Sequence, residues 1–136
     1  MRIYLAARYV RREELCGYAE QLRECGHTVE CRWLNGSHQW HPGADKVDGM
    51  GESVPMEARA FAIDDLEDLA LSDWVISFTE RPYSDTKGRG SRHVEFGLAI
   101  AKGKRLIVVG PRENVFHCLP KVEHFNSFDE CLKAIG

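Results

Sequence analysis

No apolar stretch in this chain approaches the length a membrane-crossing helix needs, and no membrane partner is expected. Met1 is followed at once by the strand-like Arg2-Ile3-Tyr4-Leu5-Ala6 rather than by a secretory leader, so the expected compartment is the cytosol. An excess of one charge is missing too. The 18 Lys and Arg stand against 21 Asp and Glu, a formal net charge of −3, which gives no reason to expect nucleic acid as the partner. The five cysteines (Cys16, Cys25, Cys31, Cys118 and Cys131) are an odd number without a Cys-x-x-Cys pair. That argues against a disulfide framework or a zinc site, and most are expected to be small buried side chains. Internal repeats and linkers are absent, and 136 residues suffice for one domain, 1–136, with its own hydrophobic core.

What is present is an alternation of apolar runs and helical periods. Arg2–Ala6 reads as a buried strand with Ala7-Arg8-Tyr9 as its exit loop. From Val10 to Cys25 the residues Leu15, Tyr18, Ala19 and Leu22 recur at helical spacing, and Gly26 stops the helix. His27 to Trp33 alternates loosely and reads as a second strand. Pro55 to Leu71 is helical, and Trp74-Val75-Ile76-Ser77-Phe78-Thr79 is a buried strand. A glycine-punctuated loop then leads into an amphipathic helix, Ser91–Lys102, which Gly103 ends. Arg105–Val109 is another buried strand with a Gly110-Pro111 turn behind it, and Lys121–Phe125 is a short edge strand. Ser127-Phe128-Asp129-Glu130 is a capping box opening a terminal helix that ends at Gly136. The predicted class is α/β: a doubly wound, mostly parallel five-stranded sheet with helices on both faces, flavodoxin- or Rossmann-like. Such sheets bind ligands beyond the carboxyl ends of their strands, here Ala6–Tyr9, Trp33–Gly36, Thr79–Ser91 and Gly110–Asn114.

Two carboxylates stand out against this frame. Glu95 is expected in the first turn of its helix, where the dipole favours the ionised form. It is either a working carboxylate at a cleft or an ordinary helix-stabilising acid. In the helix before it, Asp65 lies level with Ala58, Phe61 and Leu69 on the apolar side, and Asp64 falls outside that stripe. A carboxylate there is costly unless it is salt-bridged or used. Two carboxylates facing one crevice can cleave a glycosidic bond through an oxocarbenium-like transition state. Arg8, Arg11, Arg12, Arg89 and Arg92 cluster near the same strand ends and can hold a phosphate, or simply solubilise the surface. Gly88, Gly90 and Ser91 leave backbone N–H groups accessible at the helix start. Asn35 to Val54 has no period of either kind. It is either a functional loop, with Trp40 between His38 and His41 stacking on a base, or a partly ordered surface loop.

These residues, in this order, form a wider pattern. The opening Arg2-Ile3-Tyr4-Leu5-Ala6 is followed by Asp65-Leu66-x-x-Leu69-x-x-x-Asp73 leading into Val75-Ile76. Gly90…Glu95-Phe96-Gly97-Leu98-Ala99 comes next, with Lys102-Gly103-Lys104 and a valine-rich strand behind it. The pattern resembles the nucleoside 2-deoxyribosyltransferase family, including its branch of 2′-deoxynucleoside 5′-monophosphate N-glycosidases. The resemblance covers most of the chain. It implies a retaining mechanism in which Glu95 attacks C1′ of a small-molecule nucleoside or nucleotide and Asp65 assists. The sugar would pass to water or to another base, without metal or organic cofactor. It also implies a homo-oligomer, and substrate contacts from Ala6, Arg8, Trp40, Gly88, Arg89, Gly90, Ser91 and Arg92. Arg89 stands where transferases acting on free nucleosides carry an aspartate, which fits a phosphorylated substrate better. His93 and Val94 replace a tyrosine found in some members.

Three rival readings compete. A phosphoribohydrolase would need a Gly-Gly-x-Gly-Thr-x-x-Glu loop, which is absent. A phosphate-accepting receiver domain would need acids after its first strand and a phosphorylatable aspartate after its third, where Ala6-Ala7-Arg8 and Thr79-Glu80 stand. The remaining rival is a nucleotide-binding sensor that keeps the pocket without turnover.

Overall fold

A computed structural model describes residues 1–35, 56–81 and 90–136, with side chains from residue 58 onward in the second segment. The elements are β1 (Ile3–Ala6), α1 (Arg12–Glu24), α2 (Met56–Leu71), β2 (Trp74–Phe78), α3 (Ser91–Ala101), β3 (Arg105–Val109), β4 (Glu123–Phe125) and α4 (Phe128–Ile135). Short 3-10 turns occur at Tyr9–Arg11, Arg32–Asn35 and Val115–Cys118. Among the described residues the four strands form one parallel sheet in the order β1-β2-β3-β4.

Four strands, not five, is a correction, and the segment responsible is 27–33. Only Thr28 pairs with the sheet, through a single bridge to Arg2. Further along this outer edge of β1, side chains take the backbone groups a strand would have used. The Leu5 N–H reaches Cys31 Sγ at 3.4 Å and the Trp33 indole N–H donates to the Leu5 carbonyl at 2.9 Å. The edge is satisfied without a ladder, and the chain winds into its 3-10 turn instead.

Side chains alternate across the sheet, so each face has its own cover. On one face, Tyr18 of α1 stacks on Phe78 at 5.4 Å and on Phe128 of α4 at 4.1 Å. On the other face the registers align Tyr4 with Val75 and Leu106, and Ala6 with Ser77, Val108 and His124. There α2 and α3 pack side by side, with α3 lying over β1, β2 and β3. The core is continuous through Ile3, Leu5, Leu22, Ile76, Phe96 and Ile107, all at most 2% exposed. All five cysteines are free thiols. Only Cys31 and Cys131 are buried, fewer than expected, because Cys25 and Cys118 end surface elements.

The connection from β1 passes through α1 to Thr28 on one side of β1, whereas β2 lies on its other side and connects onward to β3. The strand order therefore reverses between the carboxyl ends of β1 and β2, the place where such sheets open a binding crevice.

Candidate active site

The helix α3 starts at Ser91 as expected, behind Gly90 in a left-handed conformation (φ 80°), but Glu95 is its fifth residue and so lies in the second turn rather than the first. That position sets the carboxylate below the helix mouth, over the sheet. There the Tyr4 hydroxyl of β1 donates a hydrogen bond to Glu95 Oε2. Burial pushes the Glu95 carboxyl up to about 8; the Tyr4 hydrogen bond opposes that rise and the nearby Asp65 adds to it. Burial and then Glu95 raise the Tyr4 phenol well above its ordinary range, so it stays a donor. Where a dipole-favoured, readily ionised acid was expected, desolvation wins over the helix terminus.

Asp65 reaches the same place from α2. Its Oδ1 is shielded from solvent, and its charge acts on Tyr4, Glu95 and Cys31. The neighbouring acids of α2 face elsewhere. Arg32 binds Asp64, Glu67 and Asp68 at 3.0, 2.9 and 3.1 Å, and its backbone N–H adds a bond to Asp68. Together these contacts clamp α2 with Asp65 turned to the sheet. Ala6 and Ser77 lie side by side on the face that carries Tyr4, both fully buried, and the Ser77 hydroxyl has no hydrogen-bond partner among the described residues.

The arginines are distributed unequally. Arg8 and Arg11, beyond β1, both bind Glu80, beyond β2, at 3.0 Å. Arg11 also pairs with Glu14 and Arg12 donates to the Leu34 carbonyl. Arg92 is 6% exposed and makes a two-pronged contact with Glu113 at 2.7 and 3.2 Å, so its guanidinium is a packing element of the α3 start. His93 and Asn114 adjoin that pair. Gly90 is partly exposed and Ser91 exposed at the helix mouth. Trp40, Gly88 and Arg89 lie outside the described residues.

The structure therefore brings Glu95, Asp65 and Ala6 onto one face at the crevice, with Arg8 at its rim. Sequence reasoning missed Tyr4, Glu80 and Arg32. Tyr4 sits in an apolar run and carries the same signal as any core aromatic. Glu80 was weighed only as a residue out of place in a receiver domain.

No protein-family model and no curated relative matches this chain. Solved structures do. A 2-deoxyribosyltransferase from Bacillus psychrosaccharolyticus superposes with a TM-score of 0.62 at 19% identity, over 97% of this chain and 90% of that one. The CMP N-glycosidase BcmB from Clostridium botulinum superposes with a TM-score of 0.53 at 21% identity, over 99% of this chain and 98% of that one. The chain has the α/β fold of these structures over essentially its whole length, with four parallel strands in its sheet among the described residues.

Proposed function

We propose that this protein is an enzyme that cleaves the N-glycosidic bond of a 2′-deoxynucleoside or nucleoside, or its 5′-monophosphate, through a glycosyl ester on Glu95. The observation that carries the proposal is the convergence of Glu95, Tyr4 and Asp65 from three separate elements on one face of a parallel sheet. The two structural neighbours, one a deoxyribosyltransferase and one a CMP N-glycosidase, support the reaction class.

Glu95 Oε attacks C1′ as the glycosidic bond breaks. The bonding electron pair leaves with the base nitrogen, which takes a proton, and Asp65 is the adjacent carboxyl able to manage it. Positive charge on the ring carbon in the transition state favours the ionised Glu95, and Tyr4 steadies that carboxylate. Water, or the nitrogen of a second base, then attacks C1′, gives up a proton and frees Glu95. The incoming group sets the outcome, hydrolysis or transfer. Ala6, Gly90 and Ser91 leave room and backbone donors for the substrate, and Arg8 offers charge at the rim.

The reading includes a homo-oligomer. Ile63 and Leu66 of α2 and Val94 of α3 are each more than half exposed on adjacent helices, a face suited to a second copy. It also includes the cytosol, where the free Cys25 and Cys118 would stay reduced. No helix among the described residues is long and apolar enough to cross a membrane.

A panel of nucleosides and 5′-monophosphates, with and without an acceptor base, is assayed by chromatography for released base. Release by the wild type and none by Glu95→Gln is expected. Nucleotide binding without release would instead identify a sensor. After trapping with a 2′-fluoro analogue, an adduct on any residue but Glu95 overturns the assignment.

A further inference from the structure

The mechanism above uses only Arg8 of a largely shielded charged cluster at the point where the strand order reverses. Glu80 follows β2, and its two oxygens are held by Arg8 Nη1 and Arg11 Nη1, each at 3.0 Å. All three side chains are largely shielded, Arg8 at 14%, Arg11 at 23% and Glu80 at 12% exposed. Yet the donors outnumber what Glu80 accepts: Arg8 Nε is buried and unpartnered among the described residues. Arg11 spends its remaining donors on Glu14 and the Thr79 carbonyl, so the spare N–H groups are those of Arg8. A phosphate, with three free oxygens and close to two charges, suits them better.

We propose that Glu80 is a built-in counter-anion occupying the anion position of the crevice, and that an anionic substrate group, a phosphate monoester, displaces it to bind Arg8 and Arg11. The inference rests on the nucleoside or nucleotide reading and adds a specificity determinant to it. With Glu80 seated, Arg8 and Arg11 are balanced by Glu80 and Glu14, so an uncharged nucleoside meets a neutral rim. A phosphorylated one must exchange one anion for another, which sets the preference between the two.

Calorimetric titration with inorganic phosphate, and then with a 2′-deoxynucleoside 5′-monophosphate, tests this. Glu80→Gln is expected to bind both at least about tenfold tighter than wild type, and Arg8→Gln in that background to reverse the gain. Unchanged or weaker binding by a folded Glu80→Gln protein overturns the proposal. Should that variant not fold, a crystal structure of the wild type with the monophosphate decides. Glu80 released from both arginines supports displacement, and Glu80 still bound with phosphate elsewhere refutes it. Phosphate affinity needs no turnover, so failure of this inference and failure of base release are separate results.

Discussion

Glu95 is pulled between folding and chemistry. Burial pushes its carboxyl up to about 8 in the folded protein against 4.5 for an unperturbed glutamate, so the folded state holds the proton more tightly. Stability attached to this group is present below the unfolded value and is lost as pH rises from there to about 8. Glu95→Gln removes that loss. Its urea stability relative to wild type should improve between pH 5 and pH 8, by on the order of 2 kcal/mol after allowance for residual solvent access, even though base release vanishes. A pH-independent difference would show that burial does not disfavour the ionised Glu95. If Glu95 is the nucleophile, as proposed, it must be ionised, and base release should climb through the same pH range. Tyr4→Phe deletes the hydrogen bond that steadies the carboxylate, and the rising limb of the pH–rate profile should move up by about one pH unit. A limb that stays put would leave Tyr4 a packing residue. Asp65 was legible because helical phase marks a carboxylate on the wrong face, and Glu95 because it follows the glycine loop at the start of a helix. Tyr4 was not, since in a strand of apolar residues nothing distinguishes a hydroxyl with a partner from one without.

Among the elements, those with an internal period were readable. Ser127 Oγ caps α4 by accepting from the Glu130 N–H at 3.2 Å, as the capping box implied. Its reciprocal bond is displaced by one residue, the Glu130 carboxylate accepting from the Asn126 N–H. The segment 27–33 misled because its alternation is real, placing Val29, Cys31 and Trp33 in the core, while its hydrogen bonding is decided by Cys31 and Trp33 side chains meeting Leu5. Pairing is a property of two segments, and no periodicity in one reveals it. The Gly110 turn was legible, but its tightness was not. Gly110 has φ 112°, and a Cβ there would sit 2.5 Å from Thr79 Oγ1. Gly110→Ala should therefore push the carboxyl ends of β2 and β3 apart and lower stability by about 2 kcal/mol in urea unfolding. A substitution that unfolds like wild type would mean that Thr79 yields freely.

At the scale of the molecule, each face of the sheet has a different task. The face under α1 and α4 is closed by the Tyr18–Phe78–Phe128 stack. The face under α2 and α3 carries the carboxylates, and its helices turn Ile63, Leu66 and Val94 outward, at 55%, 51% and 65% exposure. Helices that hold a site against the sheet with one side and show apolar residues on the other are placed to join two sites across one interface. Burying a leucine there contributes roughly 1.5–3 kcal/mol per copy, and in a two-fold contact each substitution counts twice. Sedimentation equilibrium of the wild type should give a dimer or a larger closed assembly. Leu66→Glu, an exposed change with no described core contact, should shift that equilibrium to monomer without changing the far-ultraviolet circular dichroism. If base release falls together with the assembly while Glu95 remains intact, the site depends on the second copy. A wild type that stays monomeric at tens of micromolar, or a Leu66→Glu protein that assembles unchanged, removes the α2–α3 face as the contact.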